Sequence, residues 1–145
     1  SLYKAYASPL DNGYLHEDPA TEVLAIIPGR VDSYHLEKIK KDLSGFSVIF
    51  ATSPLDHQSS WIEIFQKEVS KSKAAEWLVK RLGLSRRGVI SVGNDYNDQD
   101  LLSWSEKGFV VENAPADLRK TFKTVSSNNR CGVSEAAQKA GWLNS

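Results

Sequence analysis

The sequence predicts an α/β protein: a parallel sheet with covering helices over residues 67–145, preceded by a smaller α+β unit over residues 1–66. Three observations carry this reading. After Lys67, short apolar runs alternate with helical patterns, which is the signature of parallel strands joined by right-handed crossovers. Before Lys67 the order is strand, helix, then two strands separated by a short polar segment, as in a hairpin with a helix on one face. The chain has 145 residues, 41% hydrophobic and 25% charged, which suits one ordinary domain or two small pieces.

The elements follow in order. Residues 1–20 are rich in turn signals (Ser8-Pro9, Asp11-Asn12-Gly13, Asp18-Pro19) and are read as irregular. Val23–Ile27 is an apolar run stopped by Pro28-Gly29, and is read as a strand. A helix is expected from about Asp32 to Leu43, because Leu36, Ile39 and Leu43 fall on one face and Gly45 stops it. Phe46–Thr52 and Trp61–Phe65 are two further strands, joined by the polar segment Pro54–Ser59. Lys67–Ser70 forms the joint between the two regions.

In the second region, Lys71–Leu82 is a helix with Ala74, Ala75, Trp77, Leu78 and Leu82 as its apolar face, closed by Gly83. Val89–Val92 is a buried strand. A helix carrying Leu101, Leu102 and Trp104 on one face is expected to run to about Lys107, closed by Gly108. Phe109–Val111 is a strand, and Pro115 opens a helix containing Leu118 and Phe122. Thr124–Ser126 is a short strand, and Gly132–Ala140 is the last helix.

Formal net charge is zero, so no basic excess is available to neutralise a polyanion, and no nucleic-acid partner is expected. No apolar run reaches membrane-spanning length and no signal-peptide pattern opens the chain, so no membrane partner is expected. Cys131 is the only cysteine, which excludes a disulfide framework and makes a cytoplasmic location the default. It is read as a structural thiol in a loop, with no histidine beside it. Met is absent, and Ser1-Leu2 reads as a vector remnant or as the start of a fragment.

The most informative segment is Gly93-Asn94-Asp95-Tyr96-Asn97-Asp98. It stands at the C-terminal end of a predicted strand, the edge where ligands bind in open α/β sheets. Asp95, Asp98 and Asp100 would repel one another unless a cation or a positive side chain sits among them. Hard oxygen donors of this kind suit Mg²⁺. The plainer alternative is a turn built of ordinary turn residues, with Asp98 as a helix cap.

Taken together, the motifs of residues 61–140 resemble the C-terminal part of haloacid-dehalogenase-like phosphatases of the Cof type, subfamily IIB. Glu63-Ile64 resembles the end of that group's αβ cap, and Val69-Ser70-Lys71-Ser72 resembles its lysine motif. Gly93–Asp98 resembles its acidic fourth motif, and Asn113-Ala114 and Asn128–Val133 resemble its closing motifs. Residues 21–65 look like the second half of the inserted cap. The resemblance implies a partial Rossmann-like parallel sheet with an α+β cap fragment: residues 1–66 as cap, residues 67–145 as the C-terminal half of the core.

It further implies hydrolysis of phosphate esters of small metabolites such as sugar phosphates, with Mg²⁺ as cofactor. In such enzymes an Asp nucleophile takes the phosphoryl group and water then releases it. By resemblance, Lys71 and Asp98 would be catalytic. Lys71 and Asn97 would face the phosphate, and Asn94, Asp95 and Asp98 the metal. On sequence alone, without the resemblance, Lys71 reads as an exposed lysine near a helix start. Lys73 is expected on a different face.

Two departures stand out. The family has Asp directly after the Gly, whereas this chain has Asn94 there with Asp95 beside it, so Asn94 is a weaker ligand, or Asp95 takes over through a local shift, or the site is degraded. The family's nucleophile motif, Asp-x-Asp after an apolar strand, does not occur upstream of Lys71; the only Asp-x-Asp is Asp98-Gln99-Asp100. The chain is therefore expected to be inactive by itself. The alternative reading is a non-catalytic domain of the same fold that binds a ligand or partner. In that family's sheet order the strand Val89–Val92 lies beside the nucleophile's strand. Without that neighbour it would show an open apolar edge, and self-association through the edge is expected.

Overall fold

The computed structural model describes residues 20–53 and 57–143. The expectation of irregular structure over the first residues lies outside that range, apart from Ala20. The described chain forms two three-stranded sheets, one antiparallel and one parallel, with five helices among the described residues.

The antiparallel sheet contains β1 (Val23–Ile27), β2 (Phe46–Thr52) and β3 (Ser60–Gln66), in the order β1-β3-β2. β2 and β3 pair as the expected hairpin, with Thr52 opposite Ser60 and Phe50 opposite Ile62. Helix α1 (Ser33–Asp42) starts at Asp32, whose Oδ1 accepts the His35 N–H at 3.0 Å, satisfying one of the free donors of the first turn. Ser60 ties the approach to α1 onto β3: its hydroxyl donates to the Gly29 carbonyl at 3.0 Å and accepts the Val31 N–H at 3.1 Å.

The parallel sheet contains β4 (Ile90–Gly93), β5 (Lys107–Val111) and β6 (Lys123–Val125), in that order across the sheet. The crossovers are α3 (Gln99–Trp104) between β4 and β5, and α4 (Ala116–Thr121) between β5 and β6. Helix α2 (Lys71–Arg81) precedes β4, and α5 (Gly132–Ala140) follows β6. The central strand is buried without alternation at Phe109, Val110 and Val111, as a parallel strand covered on both faces should be. Leu102, Ala114, Leu118, Val125 and Ala136 close the core around it. No helix among the described residues is long and apolar enough to cross a membrane.

Three expectations need correction. The helix after the acidic turn ends at Trp104, and Gly108 lies inside β5 rather than stopping a helix. The reason is close approach: a Cβ at Gly108 would lie 2.5 Å from the Leu102 carbonyl oxygen, so the glycine lets α3 settle onto the strand. The apolar face of α2 stays open, with Trp77 61% and Leu82 60% exposed. Among the described residues β4 has a strand neighbour on one side only, so the sheet offers α2 little surface to cover. Cys131 is exposed and adopts a left-handed backbone conformation ahead of α5, so its thiol is no part of the core.

Glu135 in α5 makes a pH-dependent contribution to this packing. Its carboxylate pairs with Lys139 at 2.7 Å and accepts the Ser126 N–H, also at 2.7 Å. The Lys139 ammonium first, and Ser126 second, hold its pKa down at about 2. A depressed carboxylate stabilises the fold above its unfolded value and loses that contribution as pH falls. The stability gap between wild type and Glu135→Gln should therefore shrink as pH is lowered from 4.5 to about 2 in denaturant titrations. A gap independent of pH over that window would contradict this role.

Candidate active site

The acidic turn begins where β4 ends. Gly93 is the last residue of the strand, and a Cβ there would lie 2.6 Å from Asp98 Cβ and 2.9 Å from its Oδ2. The missing side chain is what allows Asp98 to fold back against the strand end. Asp98 Oδ2 accepts the Asn94 N–H at 2.9 Å, and Oδ1 accepts a charged hydrogen bond from Lys71 Nζ. Asp98 stands before α3 yet makes no side-chain cap bond to that helix. Its carboxylate serves the turn and a lysine from another helix, so the simple capping alternative fails for Asp98.

Lys71 is the first residue of α2, whose start is fixed by Ser70: the Ser70 hydroxyl accepts the Lys73 N–H at 3.2 Å. This geometry sends Lys71 to Asp98, whereas Lys73 pairs with Glu68. Asp98 is the more shielded partner, with its side chain 13% exposed against 44% for Lys71.

The remaining carboxylates have separate partners. Asp95 Oδ1 accepts the Tyr96 N–H at 2.8 Å, and Oδ2 accepts the Thr52 N–H at 3.0 Å. Asp100 Oδ2 accepts the Ser72 N–H at 3.0 Å, and Oδ1 accepts the Leu101 N–H at 2.7 Å. Partial burial pushes the Asp100 pKa up, but the bonds from Ser72, Ser70 and Leu101 outweigh it and leave the pKa lowered. Asp100 thus anchors the start of α2, the helix that delivers Lys71. The repulsion anticipated among three neighbouring carboxylates is relieved by one ammonium group and several N–H donors from different elements.

The carboxamides of Asn94 and Asn97 make no side-chain hydrogen bond among the described residues, and both face a cleft of about 1400 Å³ between the antiparallel sheet and the turn. Asp95, Arg30, Lys40 and Asn113 also line this cleft, while Lys71 and Asp98 do not. The structure therefore brings Lys71 to Asp98 and places Asn94, Asp95 and Asn97 on the open side of the same turn. Tyr96 was not singled out by the sequence. Its hydroxyl donates to both oxygens of Asp117 at 3.1 Å, joining the turn to α4. Burial, then Asp117, pushes its phenol pKa up. No local pattern announces a partner 21 residues away.

For a metal, the donor types suit Mg²⁺, which takes hard oxygen ligands and keeps several waters. Asn94, Asp95 and Asp98 supply such oxygens on one turn. Among the described residues, no group of three or more His, Cys, Asp or Glu converges on one point.

The family model for haloacid dehalogenase-like hydrolases matches residues 4–136. The chain belongs to this family. Within its range of relatives, the chain is 30% identical over 112 residues to a phosphoglycolate phosphatase from Archaeoglobus fulgidus, covering 77% of this chain and 48% of that protein. Two solved structures show the same fold. A sucrose-phosphatase from Synechocystis superposes with a TM-score of 0.70 at 16% identity, over 88% of this chain and 55% of that one. A subclass IIB sugar phosphatase of the same superfamily superposes with a TM-score of 0.68 at 15% identity, over 84% of this chain and 44% of that one. The chain spans about half the length of the Archaeoglobus relative, and the matches cover between 23% and 30% of five bacterial relatives.

Proposed function

We propose that this haloacid dehalogenase-like chain carries the phosphate-holding part of a Mg²⁺-dependent phosphatase site for small phosphorylated metabolites, sugar phosphates or similar. The observation that carries the reading is the Lys71–Asp98 pair, formed across 27 residues at the C-terminal end of β4. An ammonium group held by a shielded carboxylate is an oriented charge, and an oriented charge stabilises a phosphoryl group without reorganising during reaction. Lys71 would bind a phosphate oxygen while Asp98 holds it in place. The free carboxamides of Asn94 and Asn97 would contact the same group from the cleft side.

Asp98, with either Asn94 or Asp95 beside it, would hold Mg²⁺, and the cation would neutralise negative charge between phosphate and turn. The covalent step requires a nucleophilic Asp. The family's motif for it does not occur in this sequence ahead of Lys71. We therefore expect purified protein with Mg²⁺ to release no p-nitrophenol from p-nitrophenyl phosphate above the buffer rate. Steady turnover that Lys71→Ala abolishes would show that this chain contains its own nucleophile.

A second reading, a non-catalytic binding domain, is favoured by Asn94 standing where the family has Asp. It shares the phosphate contacts and omits the chemistry. The two readings separate on the natural reading frame ahead of Ser1: an Asp-x-Asp after an apolar strand supports the phosphatase, and its absence supports the binding domain.

A further inference from the structure

We infer that Asp95 is a positioning residue: its carboxylate clamps the free edge of β2 onto the acidic turn, leaving the metal-facing role to Asn94 and Asp98. This rests on the phosphatase reading only for its consequence at the metal, not for the clamp itself. Among the described residues, β2 lies at the edge of the antiparallel sheet and pairs only with β3. The Ser53 N–H points inward, donating to the Ser59 carbonyl at 2.9 Å. Successive amides of a strand alternate sides, so the Thr52 N–H points outward, away from β3. An outward amide on a partly buried edge needs an acceptor. Asp95 Oδ2 provides it at 3.0 Å, 43 residues along the chain.

The other oxygen of Asp95 is engaged as well. Oδ1 accepts the Tyr96 N–H at 2.8 Å, and the Asp95 carbonyl accepts the Asp98 N–H at 3.0 Å. Three hydrogen bonds therefore hold Asp95 in one pose, with its side chain bridging the two sheets. Its neighbours differ: the Asn94 carboxamide makes no hydrogen bond among the described residues, and the Asp98 carboxylate is held by Lys71 and the Asn94 backbone N–H. The clamp sets the distance between β2 and the turn, and so the width of the cleft that Asn94 and Asn97 face. Binding Mg²⁺ through Asp95 Oδ2 would compete with the Thr52 bond and loosen that wall of the cleft.

The test is amide hydrogen exchange read residue by residue on the intact chain. In wild type, the Thr52 amide should exchange more slowly than those of Phe50 and Val48, which lie on the same strand edge. Asp95→Asn cannot accept both amides with its two ends, because one end is a donor. It should speed Thr52 exchange roughly tenfold to a hundredfold, the worth of a hydrogen bond to a charged acceptor. Asn94→Ala should leave Thr52 exchange unchanged. Saturating Mg²⁺ added to wild type should also leave it unchanged. Equal exchange at Thr52 and Phe50, or faster Thr52 exchange on adding Mg²⁺, would overturn the clamp, and the wild-type measurements stand even where Asp95→Asn fails to fold. A protein that shows the clamp but never responds to Mg²⁺ or phosphate would overturn the phosphatase reading alone.

Discussion

Gly132→Ala should destabilise the protein by about 3 kcal/mol or more, at the upper end of what overpacking costs. A Cβ at this position would lie 2.1 Å from the Ser126 carbonyl oxygen, 3.1 Å from its carbon and 3.2 Å from the Ser127 carbonyl oxygen. All three are backbone atoms, so no rotamer change gives relief. Either α5 lifts from the sheet or the segment after β6 moves. Lifting α5 pulls Ala136 out of the core and separates Glu135 from Ser126. For a domain whose whole stability is about 5–15 kcal/mol, such a loss is a large share. Thermal unfolding followed by circular dichroism should show the midpoint lowered by on the order of 10 °C. A midpoint within about 2 °C of wild type would mean that the packing of α5 against Ser126 is looser than described.

Gly93→Ala should act on the site more than on the fold. The added methyl would meet the Cβ and Oδ2 of Asp98 at 2.6 Å and 2.9 Å; the carboxylate can rotate away, but the Cβ moves only with the backbone of the turn. Relief therefore needs the turn itself to shift, at the cost of the bonds from Asp98 to the Asn94 N–H and to Lys71. Stability should fall by about 1–3 kcal/mol. The larger effect should be on function: with Lys71 released, phosphate binding should weaken by about tenfold or more, since a charged hydrogen bond is worth about 1.5–3 kcal/mol. Isothermal titration of the variant with inorganic phosphate reads this directly. A variant that binds phosphate as wild type does would separate Asp98 from the phosphate site.

Much of the fold was legible because its local signals agree. Phe46–Thr52 is rich in Phe, Val and Ile and is bounded by Gly45 and Pro54, and it forms β2 with those limits. Gly132–Ala140 becomes α5 as read, closed by Gly141 in a left-handed conformation. Gly108 was misread because a glycine at a helix end and a glycine under a packed helix look alike in sequence; only the approach of the Leu102 carbonyl distinguishes them. The openness of α2 was illegible for a related reason. Periodicity shows which face is apolar, not whether anything lies against it.

The site was legible unevenly. The acidic turn was marked by composition at a strand end. The Lys71–Asp98 pair was reachable only through resemblance, since a lysine at a helix start carries no signal of its own. The Asp95–Thr52 and Tyr96–Asp117 bonds were hidden altogether, because each joins elements whose mutual placement is decided by tertiary packing.

Lys71 and the turn from Gly93 to Asp98 are together expected to hold phosphate. A titration of the intact chain with inorganic phosphate in the presence of Mg²⁺, followed by amide chemical shifts, tests this most directly. Saturable shifts confined to residues around Lys71 and from Gly93 to Asp98 are expected, with a dissociation constant on the order of 1 mM, about −4 kcal/mol. Lys71→Ala should remove them. Shifts that persist in both Lys71→Ala and Asp98→Ala, or that map to another face of the protein, would contradict it.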